Sequence, residues 1–266
     1  MTRSVAFGAA CVLVTALGGC APAPLHLPAG PSAPLLDSGP ILRDALAHCD
    51  GVRSITAELG LSGRVGTTKL RGRLQVGFAR PGRLRLEAVA PFGAPFFIVA
   101  GQQTSATLWL PRDARVLRDA APADLVDALA GFSATPDDLA AWLAGCPAAV
   151  FPAGTARSFG ADWTEVDAGG RIAWFHRTDR WHLVASSSGG LSVEFAAPRG
   201  VQPTRLRIRR DGSADRAAVD VGLSIGQVET NLALGPEAFK VDVPSDATPI
   251  TLDELRRSGP LRESAH

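Results

Sequence analysis

Tyrosine is absent from the 266-residue chain, and asparagine occurs once, at Asn231. Basic charge is almost all arginine, Lys69 and Lys240 being the two lysines. These gaps read as coding bias and carry no functional weight. Other shortages exclude more. Neither sign of charge is in excess, since 27 basic residues face 26 acidic ones for a formal net charge of +1. A nucleic-acid binder needs a basic footprint, so no nucleic-acid partner is expected. Hydrophobic residues make up 46% of the chain, too many for a disordered one. The N-terminal apolar run, residues 5–17, falls short of the roughly 20 residues that a membrane-spanning helix requires. No phosphate loop, dinucleotide fingerprint or zinc-binding helix occurs, so neither cofactor nor metal is expected.

What is present begins at residues 1–20, MTRSVAFGAACVLVTALGGC. Arg3 precedes the apolar run, which ends in Leu17-Gly18-Gly19-Cys20. This looks like a bacterial lipobox, whose cysteine becomes thioether-linked to diacylglycerol and is acylated on its amine after cleavage ahead of it. The reading is a signal peptide over residues 1–19 and lipidation at Cys20. Losing Arg3 leaves 27 − 1 = 26 basic against 26 acidic side chains. Attachment then comes from acyl chains and not from charge. Ala21, not Asp, follows the cysteine, which favours the outer membrane, facing the periplasm. Pro22, Pro24, Pro28, Pro31 and Pro34 predict a polyproline-like tether over residues 20–37. Of the other cysteines, Cys11 leaves with the signal. Cys49 and Cys146 remain in a compartment that permits disulfides, and either a bridge or two buried thiols fits.

Residues 38–49 show a helical apolar face through Ile41, Leu42, Ala45 and Leu46, with Ser38 to cap it and Pro40 in the first turn. The period then becomes two. Ile55, Ala57, Leu59 and Leu61 alternate with polar neighbours, as do Leu70, Gly72, Leu74, Val76 and Phe78, and again Leu84, Leu86 and Ala88. Further strands are predicted at 96–101, 104–111, 114–117, 162–167, 171–177, 180–187, 191–197, 204–211, 216–224 and 227–234. Helices are predicted at 122–130 and 136–145, both opening on Pro, and at 251–257. The pattern describes a β-rich α+β domain over residues 38–257, a large curved sheet or open barrel whose apolar face the helices must cover, followed by a tail over 258–266.

Residues 84–147 add a resemblance. A strand leads into Pro91-Phe92-Gly93, further strands follow, a helix ends near Gly131, and Pro136, Leu139 and Trp142-Leu143-x-Gly145-x-Pro147 close the series. Their order resembles the LolB/LolA superfamily of lipoprotein receptors and periplasmic carriers. The resemblance implies a half-open antiparallel β-barrel with a helical lid and an apolar cavity for lipoprotein acyl chains. It implies a LolA-like carrier as partner. It also implies a protruding loop whose exposed apolar residue, here Phe92, helps delivery into the membrane. Phe96 extends that apolar patch. The region from residue 203 to 249 departs from the LolB pattern.

Alternation leaves the inner face open to two readings. Leu59, Leu61, Leu74, Val76, Leu84, Leu86 and Leu108, with Trp142 of the lid, either line a cavity or fill a core. Ala57, Gly72, Ala88 and Ala106 are small and on the inward parity, which leaves room for a ligand. Arg64, Arg71, Arg73, Arg83, Arg85, Arg205, Arg207 and Arg209 fall on the outward parity and read as a solvated face. Gly222-Leu223-Ser224-Ile225-Gly226 matches G-x-S-x-G, but a nucleophile elbow needs a helix next and a strand is predicted there. His176 and His182 flank a hairpin without a third ligand. The expectation is a lipid-anchored, non-enzymatic outer-membrane protein. It binds lipoprotein acyl chains and helps insert them, or else serves envelope assembly by binding a protein partner.

Overall fold

The computed structural model describes residues 25–90, 92–147, 154–196 and 198–258. The signal peptide, Cys20, Pro91 and the tail from residue 259 lie outside the described residues. The elements in chain order are β1 (Ala33–Leu35), α1 (Gly39–Leu46), β2 (Ser54–Val65), β3 (Thr68–Ala79), β4 (Arg83–Ala88), β5 (Phe97–Gln102), β6 (Ser105–Leu110), β7 (Arg115–Ala120), α2 (Pro122–Ala130) and α3 (Pro136–Leu143). They continue with β8 (Thr155–Phe159), β9 (Trp163–Asp167), β10 (Ile172–Arg177), β11 (Trp181–Ser188), β12 (Leu191–Ala196), β13 (Arg205–Arg210), β14 (Val219–Thr230), β15 (Thr248–Pro249) and α4 (Leu252–Ser258).

All 15 strands form one open sheet, in the order β1-β8-β9-β10-β11-β12-β13-β14-β2-β3-β4-β5-β6-β7-β15. Neighbours are antiparallel except at one edge, where β15 runs parallel to β7. The sheet is two antiparallel runs, β2–β7 and β8–β14, joined where β14 returns to β2. That seam sets Leu61 opposite Leu223 and Leu59 opposite Ile225. The expected period of two is visible in burial: along β4, Leu84, Leu86 and Ala88 are buried while Arg83, Arg85 and Glu87 are only partly covered.

The helices form where their caps permit. Pro122 and Pro136 open α2 and α3 with the backbone angle already set. Thr135 Oγ1 accepts from Asp138 N (3.2 Å), and Thr135 N donates to Asp138 Oδ2 (2.9 Å), a reciprocal capping box. Gly131 ends α2 in the left-handed region, at φ 78°. A Cβ there would lie 2.6 Å from Val65, so a side chain meets both backbone strain and a clash. Leu125 of α2 and Ile55, Leu84, Val99, Leu108 and Ile208 of the sheet are wholly buried in one continuous core. Each such side chain contributes about 1.5–3 kcal/mol by leaving water.

Several expectations need correction. Ala33–Leu35, placed in the tether, is an edge strand paired with β8. A tether is solvated on all sides, whereas Ala33 and Leu35 face the free edge that β8 offers. The strands expected at 216–224 and 227–234 are one strand, β14, with a register shift between Gly226 and Glu229 where Gln227 takes φ 48°. The bulge breaks the alternation without ending the pairing. Arg83 and Arg85 are not simply solvated. The C-terminal segment, residues 235–250, runs back over the outer face of β4–β7. The Arg83 guanidinium lies 5.3 Å from the Phe239 ring centre, and Arg85 donates to the carbonyls of Ala238 (3.4 Å) and Lys240 (3.1 Å). Val241 and Val243 pack there on Trp109 and Val116.

Cys49 and Cys146 form a disulfide, with Cα atoms 5.9 Å apart across a sequence separation of 97. It fastens the segment after α1 to the end of α3. His48 donates from Nε2 to Ala144 O (3.0 Å) beside both sulfurs. Burial pushes its imidazole below the ordinary histidine value. Replacing both cysteines by serine should lower unfolding stability by about 3–5 kcal/mol, read from the denaturant midpoint. The folded His48 takes up protons less readily than the unfolded one. Stability should therefore decline as pH falls below about 6.5 and level off once the folded imidazole titrates; a flat profile over that range in His48→Gln checks the assignment.

Candidate functional site

The inner face of β2–β5, β13 and β14 meets α2 and α3 across an apolar interior. Val126 and Leu129 sit three apart on α2, and Leu139, Trp142 and Leu143 share one face of α3, so each helix turns its apolar stripe inward. Phe132, between the helices, sets its ring 6.2 Å from that of Trp142. Opposite them stand Leu59, Leu61, Leu74, Val76, Phe78, Leu86, Phe97, Leu206, Val221 and Leu223. The Trp142 indole N–H is the one hydrogen-bonding side-chain group among the lining residues, and it is buried without a partner.

Of the eight residues expected to line a cavity, the structure brings six to this interior: Leu59, Leu61, Leu74, Val76, Leu86 and Trp142. Leu84 and Leu108 do not. Both are wholly buried, Leu84 opposite Phe78 and Gly101, Leu108 opposite Val99 and Leu117. Parity assigns a side chain to a face but not to a position along the strand. The small residues also act otherwise than expected. Ala57, Ala88 and Ala106 are buried and, like Gly72, do not border this interior. A Cβ on Gly101 would lie 2.4 Å from Ala106 Cα, so smallness there lets β5 and β6 pinch together. The open room amounts to only about 70 Å³. Ligand pockets run from roughly 300 Å³ upward, so the interior is closed in this conformation.

The β4–β5 loop projects outward. Phe92 is 89% exposed, and Phe96 is 37% exposed. One side chain organises this loop. Arg112 donates to the carbonyls of Ala94 (3.1 Å) and Phe92 (3.3 Å) and lays its guanidinium 4.1 Å from the Phe96 ring centre. Gly93 between those carbonyls has φ 77° and open space around it. Phe92 therefore stays in solvent, held from behind, and does not fold back on the core. Pro91 lies outside the described residues. The sequence marked the loop, but nothing in it marked Arg112, which comes from the β6–β7 turn.

The residues weighed for catalysis are dispersed. Ser224 sits within β14 and donates to Gly60 O (3.3 Å), with no helix following. His176 and His182 face each other across β10–β11, but His176 stacks on Trp163 at 4.2 Å and His182 donates to Asp179 (2.8 Å). Hydrogen bonds from His182 and Thr178 hold the Asp179 carboxyl well below the usual carboxylate range. Among the described residues, His48, Cys49 and Cys146 bring three metal-ligating atoms together, and the disulfide engages both sulfurs. No described helix is long and apolar enough to cross a membrane.

No protein-family model matches the chain, and no curated protein matches it. Solved structures similar to it include a LolA superfamily protein from Nitrosomonas europaea, at 10% identity and TM-score 0.48, covering 74% of this chain and 96% of that one. A DUF1329 family protein from Desulfovibrio piger shows 12% identity and TM-score 0.44, with 73% and 92% covered. An outer-membrane lipoprotein-sorting protein domain from Vibrio parahaemolyticus shows 11% identity and TM-score 0.33, with 71% and 89% covered. Likenesses this slight carry no inference about activity.

If Arg112 holds the loop, Arg112→Ala should speed amide hydrogen exchange over residues 92–96 by about tenfold while the denaturant midpoint barely moves. Exchange-coupled mass spectrometry reads this, and unchanged exchange would mean the loop keeps its shape unaided.

Proposed function

We propose that the protein is a lipid-anchored, non-enzymatic acceptor on the periplasmic side of the outer membrane. It takes the acyl chains of lipoproteins from a LolA-like carrier, holds them beneath α2 and α3, and helps insert them into the bilayer. The observation that carries this reading is the interior itself. A lining with no charged group and one indole N–H suits acyl chains, which make no hydrogen bonds, and suits few other ligands.

Uptake requires α2 and α3 to lift. Their polar fasteners are few: Asp137 Oδ1 accepts from Gly82 N (3.1 Å), Gly131 O accepts from Arg210 (2.9 Å), and Arg256 lies 3.6 Å from Asp127. Each contributes about 1 kcal/mol or less. The disulfide at Cys146 stays shut, so the cover turns about that end. The chains replace apolar contacts that opening removes, and the exchange runs downhill without a bond made or broken. Phe92 enters the bilayer first, a ring whose burial is favourable by about 1.5–3 kcal/mol.

The closed interior of about 70 Å³ favours a second reading, in which the core is permanent and the protein binds an envelope partner without lipid. Native mass spectrometry of the purified chain separates the two: co-purified acyl chains support the first, and their repeated absence the second. In transfer of a labelled lipoprotein to liposomes, Phe92→Glu should lower the rate about tenfold or more. Unchanged transfer removes the loop from the mechanism.

A further inference from the structure

On the far side of Trp142 from the apolar interior lies a second hollow, a cleft of about 360 Å³. Its walls come from the β11–β12 hairpin, the start of β10, the end of β13, the β13–β14 loop and α3. Three arginines, Arg171, Arg210 and Arg216, border it with the hydroxyls of Ser186, Ser187 and Ser188. The one acid among its lining residues, Asp138, is turned to the backbone of Thr135 in the α3 capping box. The cleft thus carries two positive charges more than negative ones. The adjacent groove that shares Arg210 and Arg216 is different: Asp124, Asp127 and Asp215 balance it, with Arg256 as the third cation.

Two residues that line the cleft carry buried side-chain donors without a protein acceptor. Arg210 spends one terminal nitrogen on the carbonyls of Gly131 and Ala217, while its Nε is buried and unpartnered. The Trp142 Nε1 is likewise buried and unpartnered, in a side chain 5% exposed that walls both hollows. Leaving such donors unmatched costs about 1–3 kcal/mol each, which an acceptor-rich ligand recovers. Guanidinium forks, hydroxyls and an indole N–H together offer more donors than a carboxylate's two oxygens need. They suit the several oxygens of a phosphate ester.

We propose that this cleft binds the phosphate of an anionic diacyl phospholipid, so that such a lipid is a ligand of the protein, head group in the cleft and chains beneath α2 and α3. The placing of the chains rests on the acyl-chain reading above; the phosphate contact does not. Trp142 is the partition between the two sites.

The test is calorimetric titration of the full chain with four probes: dioctanoyl phosphatidylglycerol, dioctanoyl phosphatidylcholine, dioctanoylglycerol and glycerol 3-phosphate, each below its micelle concentration. Arg171→Gln and Arg216→Gln serve as variants because neither side chain makes a described structural bond. Dioctanoyl phosphatidylglycerol should bind about tenfold or more tightly than dioctanoylglycerol, with phosphatidylcholine between them. The double variant should lose most of that preference and keep its affinity for dioctanoylglycerol. Raised salt should narrow the gap in the same way. Equal binding of phosphatidylglycerol and dioctanoylglycerol overturns the phosphate site and leaves the acyl-chain reading standing. Equal binding of phosphatidylglycerol and glycerol 3-phosphate makes the ligand a free phosphate ester, and so overturns the lipid assignment together with the placing of the chains. Binding of none overturns both.

Discussion

The backbone ladder between β2 and β14 joins two runs of strands that are remote in the chain, and its register decides what the interior is made of. Leu59 and Leu61 face inward only because Ile225 and Leu223 stand opposite them. A slip of one residue would turn Arg64, Ser62 and Gly60 toward the helices and every leucine toward water. The bulge at Gly226 absorbs the mismatch beyond this region, so the inward set remains in phase where α2 and α3 lie. Nothing local dictates this pairing. Its partners are remote in sequence, so forming it carries a larger loop-closure cost than a hairpin does.

On that frame the two helices cover the sheet and contribute Leu125, Leu129, Trp142 and Leu143 to its core. Their apolar faces complete the interior, but their polar attachments to the sheet sit at the rim and are individually weak. The disulfide makes one end permanent. The residual volume is small because large leucine, valine and phenylalanine side chains meet across the interior. The smallness of Gly101 lets β5 close on β6 at Ala106.

Much of this was legible before any coordinates. Alternation located eleven of the strands, β2–β7 and β9–β13, stopping short of the ends of β2 and β7, and proline at the first helical turn located α2 and α3. The exceptions have physical causes. β8, sequence TARSF, buries one residue fully, Ala156, so its pattern is too thin to read. β14 was divided because a bulge resembles a turn when only parity is counted. The loop carrying Phe92 was legible as proline, phenylalanine and glycine together, but its brace was not, because Arg112 reaches it through space. The cationic cleft was invisible for the same reason: Arg171 comes from the β9–β10 hairpin and Arg210 and Arg216 from the β13–β14 hairpin, and linear spacing says nothing about their convergence.

An open sheet leaves two free edges, and here both end in very short strands that contain proline. Pro34 lies in β1 and Pro249 in β15. Proline offers no amide hydrogen, so neither rim presents the row of donors that another chain would need to extend the ladder. The fold can therefore leave its sheet unclosed into a cylinder while remaining a poor template for fibre growth.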